Sequence, residues 1–309
     1  MKHYLFKKAI TLTLSLLVVV TVAFLLMKSA PGDPFQYEQA LPEEIYQQLA
    51  TQHGLRAPLL IQYVGYLKQL VSLDFGHSLI YKERKVWDMI ADGFPTSALL
   101  GFEALFLCVP LGIFAGVTAA VLKRGWLTNS LIFMSVLTVS IPSFILATLL
   151  QYGFAISLDW LPIARWGSFF HTILPALSLA VMPMAFIARL AFTRTAHEMK
   201  QSYVMAAIAK GLPLSYIVKA HVLRNVLVPI CGYLAPLIAN ILTGSFVIEK
   251  LFAIPGLGFW FVTSVLNRDY PLIMGITVFY CFLILMITLI VDLLSALLDP
   301  RLVRERSAR

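Results

Sequence analysis

Uncharged apolar runs alternate along this chain with short basic stretches, and the length of those runs sets the fold class. A helix rises 1.5 Å per residue, so about 20 apolar residues cross roughly 30 Å of hydrocarbon. Six runs meet that requirement. Ala9–Met27 lies between Lys8 and Lys28, Pro95–Leu122 carries only Glu103, and Leu127–Leu158 has no charge at all. Thr172–Ala188, Asn225–Ile248 and Tyr270–Val291 complete the set. The pattern predicts a single all-α membrane domain over residues 1–309, with six transmembrane helices at about 9–27, 95–122, 128–156, 172–192, 225–248 and 270–295. The first run is longer than the roughly 7–15 apolar residues of a signal peptide, and Lys28 follows it directly, so it is expected to remain as a helix.

Composition supports this reading. Hydrophobic residues make up 59% of the chain and charged residues 13%, about half the roughly 25% usual in soluble domains, which argues against a soluble enzyme. The net charge of +8 would suit nucleic acid, but the basic residues gather between apolar runs, the arrangement that sets membrane topology. A lipid bilayer is therefore expected as the surroundings, and no nucleic acid as a partner. One set of alternate loops holds 15 Lys and Arg; the other holds 9, six of them in the long loop 28–94 beside eight acids. Positive-inside then puts both termini and the loop 193–224 in the cytoplasm, and the loop 28–94 outside it. Cys108, Cys231 and Cys281 sit singly in apolar runs and read as small hydrophobes.

Within the outer loop, Leu59, Tyr63, Tyr66, Leu67 and Leu70 recur at helical spacing. That stripe either packs on the outer ends of the bundle or receives an external partner. Pro110, Pro142, Pro175, Pro183, Pro229 and Pro236 fall inside predicted spans and should bend them, each removing a backbone hydrogen bond. Gly112-Ile-Phe-Ala-Gly116 is a GxxxG that allows close approach of two helices.

Catalytic chemistry is hard to find. There is no GxxxxGK[ST] phosphate loop, His197-Glu198 is followed by Gln201 where HExxH needs histidine, and no GxSxG elbow occurs. The chain is therefore expected not to be an enzyme and to carry no metal or cofactor. Glu103, eight residues past Pro95, would lie roughly 12 Å below the outer end of its helix, where a carboxylate is costly. It either faces a translocation pathway or is held between helices. Asp292, at the cytoplasmic end of the last span, reads as an end-of-helix residue.

The loop 193–224 is the most informative segment. Nothing breaks a helix from Glu198 to Lys210, and Val204, Met205, Ile208 and Leu212 form one apolar stripe. Lys210-Gly211-Leu212-Pro213 then supplies a glycine stop followed by proline, and a second short helix can run from about Pro213 toward Leu223. Such a helix–turn–helix could insert into a groove on another protein or lie on anionic lipid.

Tyr203-Val-Met-Ala206-Ala207-Ile-Ala-Lys210-Gly211-Leu212, continuing to His221-Val-Leu-Arg224-Asn225-Val-Leu-Val-Pro229, resembles the "EAA" loop of the permease subunits of bacterial ABC importers. The similarity is greatest to the peptide and nickel branch. Met205 stands where the general motif has glutamate. Further similar segments follow in order: Ala30-Pro-Gly-Asp33-Pro34, His53-Gly-Leu, Asp74-Phe75-Gly76-His77-Ser78, Ser140-Ile-Pro142-Ser143-Phe144, Pro255-Gly256-Leu257-Gly258, Asn267-Arg268-Asp269-Tyr270-Pro271 and Asp299-Pro300-Arg301. The long first outer loop matches the dipeptide or oligopeptide "B" type. The resemblance implies the type I importer permease fold in a bacterial inner membrane. It implies a second homologous permease, two cytoplasmic ATPases that bind the ATP and Mg, and an extracytoplasmic peptide-binding protein. It assigns Tyr203, Ala206, Ala207, Lys210, Gly211 and Leu212 to the ATPase-docking turn. A nickel permease of the same branch is the main rival. An ion-coupled secondary transporter would need midplane acids, of which only Glu103 fits.

Overall fold

The computed structural model describes residues 2–29, 57–81, 84–242 and 244–298. Ala30–Pro34, His53-Gly-Leu and Asp299-Pro300-Arg301 lie outside the described residues, as does much of the loop 28–94. Among the described residues the regular secondary structure is helical, apart from one isolated bridge, His77 to Lys85. Five helices are long and apolar enough to cross a membrane, and a bent pair makes a sixth span if counted as one. The chain divides into two compact units, residues 1–96 with 255–285 and residues 97–254 with 286–309.

In the first unit, α1 (Lys2–Ser29) holds α2 (Leu59–Val71) by side chains. The Tyr63 hydroxyl and Thr21 Oγ1 share a hydrogen bond of 2.6 Å, and the rings of Tyr63 and Tyr66 lie 5.4 and 6.3 Å from that of Phe24. Part of the predicted stripe thus packs on the first span, while Leu59 stays exposed. The core of this unit is Val86, Met89 and Ile90 from the start of α3 (Val86–Leu122), with Leu257 of α11 (Leu257–Leu266) and Leu272 and Ile276 of α12 (Tyr270–Leu298). Asp292 falls within α12.

Helix α3 starts nine residues before the predicted boundary at Pro95. Its first turns are amphipathic, so a search for uncharged runs passes over Asp88 and Asp92 and stops too late. Pro95 is tolerated because it and Ala91, whose carbonyl it leaves unbonded, are both exposed. The placement of Glu103 eight residues from a helix start is corrected accordingly.

The second unit is organised around α6 (Phe170–Glu198), which α4 (Gly125–Ser140), α5 (Ser143–Leu150), α9 (Leu223–Leu242) and α10 (Phe246–Leu251) all contact. Small buried residues on α6, including Ala176, Ser178, Ala180, Ala188 and Ala191, permit that crowding. The GxxxG of α3 meets the same helix. A β-carbon on Gly112 would stand 2.8 Å from the Met184 carbonyl oxygen, and one on Gly116 would stand 2.8 Å from Ala191 Cβ and press on the Ala188 carbonyl.

The third predicted span, 128–156, is broken. Helix α4 ends before Ile141-Pro142, and α5 resumes with a π-helical stretch, Gln151–Ser157, bent by 106° from α4. Pro142 cannot continue α4, because it lacks the N–H that would bond back into that helix and pushes Ile141 into an extended backbone. The helix of the fourth span, predicted at 172–192, continues past the apolar run through polar residues to Glu198. The fifth, predicted at 225–248, is preceded by α8 (Leu214–Ile217) and a π-turn, Val218–Val222, that run directly into α9. Its apolar run is cut after Leu242, and α10 starts afresh from Ser245, whose side chain accepts from Ile248 N.

Candidate functional site

The segment from Glu198 to Leu214 is built by three local devices. First, α6 stops at Glu198, where Met199 N bonds Thr195 O at 2.9 Å and Gln201 N bonds Glu198 O at 3.0 Å. Gln201 is extended, and α7 (Ser202–Ala209) begins after it. The helix predicted to run unbroken from Glu198 to Lys210 is therefore interrupted at 199–201. Second, α7 ends in a Schellman turn: Leu212 N bonds Ala207 O at 3.3 Å and Gly211 N bonds Ile208 O at 2.9 Å. Gly211 has φ +76°, a left-handed conformation that disfavours a β-carbon. Third, Pro213 opens α8, satisfying the expectation of a glycine stop followed by proline.

This geometry divides the predicted apolar stripe between two faces. Val204 and Ala207 are buried beside Ile217, Val222 and Val226 and fix α7 to the helices behind it. Met205, Ile208 and Leu212, at i, i+3 and i+7, remain 56%, 44% and 38% exposed. Leu214 and Tyr216 extend that outward surface, with Lys210 beside it. Apolar side chains facing outward on a short, closed-off helix are suited to enter a groove on another protein.

Of the six residues predicted for the turn, Ala206, Lys210, Gly211 and Leu212 are exposed, while Ala207 points inward. Tyr203 is exposed as well, at 40%, but its hydroxyl is engaged. It donates to Glu198 Oε2, while Asn225 Nδ2 donates to the same oxygen at 3.1 Å and to the Tyr203 oxygen at 3.0 Å. The Tyr203 hydrogen bond is the leading reason that the Glu198 carboxyl is held below its ordinary range, and Asn225 and the nearby charges of His197 and Arg194 act in the same direction. Sequence reasoning passed over Glu198 and Asn225, because their partnership depends on α9 returning to the end of α6.

Glu103 is remote from this cluster in sequence and half-buried on α3, with no hydrogen bond or ion pair to another described residue. Two other acids are not candidate site residues from the sequence, Asp269 standing there only within a segment of family resemblance. Glu249 is fully buried on α10 and accepts from Ser97 Oγ at 2.8 Å, and Asp269 is fully buried at the start of α12. Glu249 stands just past an apolar run beside Lys250, a position that reads as a loop charge until the fold encloses it.

Comparison with known proteins places these features. Residues 109–304 match the family described as binding-protein-dependent transport system inner membrane component, and residues 1–101 match the N-terminal part of such membrane components. The chain belongs to this family. It is 44% identical over 302 residues to the dipeptide transport system permease protein DppB of Bacillus subtilis (strain 168), covering 98% of each chain. It is 39% identical over 304 residues to the oligopeptide transport system permease protein OppB of Haemophilus influenzae, covering 98% of this chain and 99% of that one. It is 38% identical over 301 residues to DppB of Lactococcus lactis subsp. cremoris, covering 97% and 99%. As an inner membrane transport component the protein is multi-pass, and its helical spans are consistent with the type I importer permease fold. The segment Glu198–Leu214 falls within the matched region 109–304.

Proposed function

We propose that this chain is the permease subunit of an ATP-driven dipeptide or oligopeptide importer, and that it contributes half of the translocation pathway. The observation that carries this is similarity along nearly the whole chain to dipeptide and oligopeptide permeases. The outward apolar face of α7 supports it, since that face gives an ATPase a surface to grip. Met205, Ile208, Leu212 and Lys210 are the docking contacts, with Ala206 allowing close approach and Gly211 closing the turn. ATP and Mg are bound on separate ATPase chains, a second homologous permease completes the pathway, and an extracytoplasmic binding protein delivers the peptide. Both termini and the α6–α9 connection lie in the cytoplasm, in keeping with the 15 basic residues on that side. Glu103 is a pathway residue that meets the cationic end of the substrate. The nickel reading is not favoured, as the relatives are named for peptides.

The test is affinity purification of the tagged, detergent-solubilised protein from its native membrane, with partners identified by mass and assayed for ATP hydrolysis. A second six-span permease and ATPase subunits are expected. An isolated or homo-oligomeric protein without ATPase would overturn the proposal. Uptake of labelled dipeptide against nickel in proteoliposomes then decides the substrate.

A further inference from the structure

Three residues from three helices meet where α7 leaves the bundle. Glu198 is the last residue of α6, Tyr203 lies in the first turn of α7, and Asn225 lies in the first turn of α9. Each bonds the other two, since Tyr203 and Asn225 both donate to Glu198 Oε2 and Asn225 also donates to the Tyr203 oxygen. We propose that this triad is a strap that makes α7 move as one body with α6 and α9, so that Tyr203 acts as a positioning residue for coupling and not as a contact with the ATPase.

The reasoning is mechanical. Helix α7 is joined to α6 by only Met199–Gln201 and to α8 by Lys210–Pro213, which includes the left-handed Gly211. A pull on the outward face of α7 could be absorbed by backbone rotation at those two links. Underneath, Val204 and Ala207 are seated against Ile217, Val222 and Val226, but apolar contacts are non-directional and resist sliding poorly. Directional hydrogen bonds to a carboxylate supply what is missing, crossing the 199–201 break and tying both spans to the same oxygen. Tyr203 and Asn225 are exposed and Glu198 is half-buried, so the triad's net effect on folding stability is small and its consequence is geometric. The His197 Nε2 to Gln201 Nε2 contact at 2.9 Å braces the same break.

This inference rests on the proposed function. The test measures labelled dipeptide accumulated per ATP hydrolysed by the complete importer in proteoliposomes, with ATPase co-purification as a separate readout. Glu198→Ala and Asn225→Ala are expected to keep their ATPase subunits while transport per ATP falls about fivefold, the low end of typical coupling free energies. Tyr203→Phe, which keeps the ring and removes both the donor to Glu198 and the acceptor for Asn225, is expected to show a similar fall. Glu198→Gln, which retains an oxygen to accept from the phenol, should preserve most of the ratio. An unchanged ratio in both Tyr203→Phe and Asn225→Ala would overturn the strap. Loss of ATPase subunits from Glu198→Ala and Asn225→Ala would overturn it too, since the residues would then serve docking or folding. A wild-type chain that captures no ATPase would instead overturn the importer reading on which the strap depends.

Discussion

Ser78 donates its hydroxyl to the buried carboxylate of Asp269, a residue 191 positions further along the chain. Leu79 N also donates to Asp269, at 3.2 Å, and Leu272 N lies 3.5 Å from the same side chain at the start of α12. One carboxylate thus pins the segment after α2 and caps a spanning helix. Asp269→Ala should lower stability by about 1–3 kcal/mol, because it strands donors away from water. Ser78→Ala should cost less. The midpoint of heat-induced loss of monodisperse protein in detergent checks the order, and equal midpoints for Asp269→Ala and wild type would refute it.

Two glycines predict opposite outcomes for the same substitution. Gly116→Ala would drive a methyl group into the Ala188 carbonyl and Ala191, so α3 and α6 must separate and stability should fall by about 1–3 kcal/mol. Gly232 on α9 has nothing within 4 Å of its β-carbon position. Gly232→Ala should be neutral or stabilising by up to about 1 kcal/mol, from helix propensity. Thermal midpoints measured side by side distinguish the two.

Gly244 has φ +84°, and a β-carbon there would meet Glu249 Oε1 and stand 3.1 Å from Ser97 Oγ. Gly244→Ala should therefore disturb α10 more than Ser97→Ala, which removes one donor to Glu249. Limited proteolysis between α9 and α10 would report the difference, with Gly244→Ala cut faster. Equal cutting would show that the close approach carries no consequence.

No atom lies within 4 Å of a β-carbon on Gly211, so its requirement is conformational and not one of space. Asn and Asp tolerate left-handed backbone, so Gly211→Asn should transport nearly as well as wild type. Gly211→Asp should abolish transport while leaving membrane insertion and abundance intact, because it adds a charge to the docking surface. Gly211→Val should lower transport by straining the turn. Normal uptake by Gly211→Asp would remove Gly211 from the docking assignment.

Several features were legible because they depend on one segment at a time. Apolar run length gave an all-helical membrane class with five to six spans, the Lys210–Pro213 sequence gave the stop and restart, and Gly112 with Gly116 marked a close approach without naming its partner. Others were not legible. The amphipathic start of α3 hid behind Asp88 and Asp92, and Pro142, expected to bend an uncharged span, instead broke it into two helices at 106°. The stripe Val204, Met205, Ile208 and Leu212 could not be divided into inward and outward members until α8 and α9 were in place.

The sequence by itself determined that this is a membrane-embedded helical protein with a short, sharply terminated helix between its fourth and fifth spans. Hydropathy, basic-residue placement and turn chemistry are local properties, written in consecutive residues. Only the tertiary structure decided that α6 is the helix the GxxxG of α3 meets, that Glu249 and Asp269 are buried acids, and that Glu198, Tyr203 and Asn225 converge. Each of those depends on which distant segments lie side by side, and a carboxylate's surroundings are fixed by its neighbours in space, not by its neighbours in the chain.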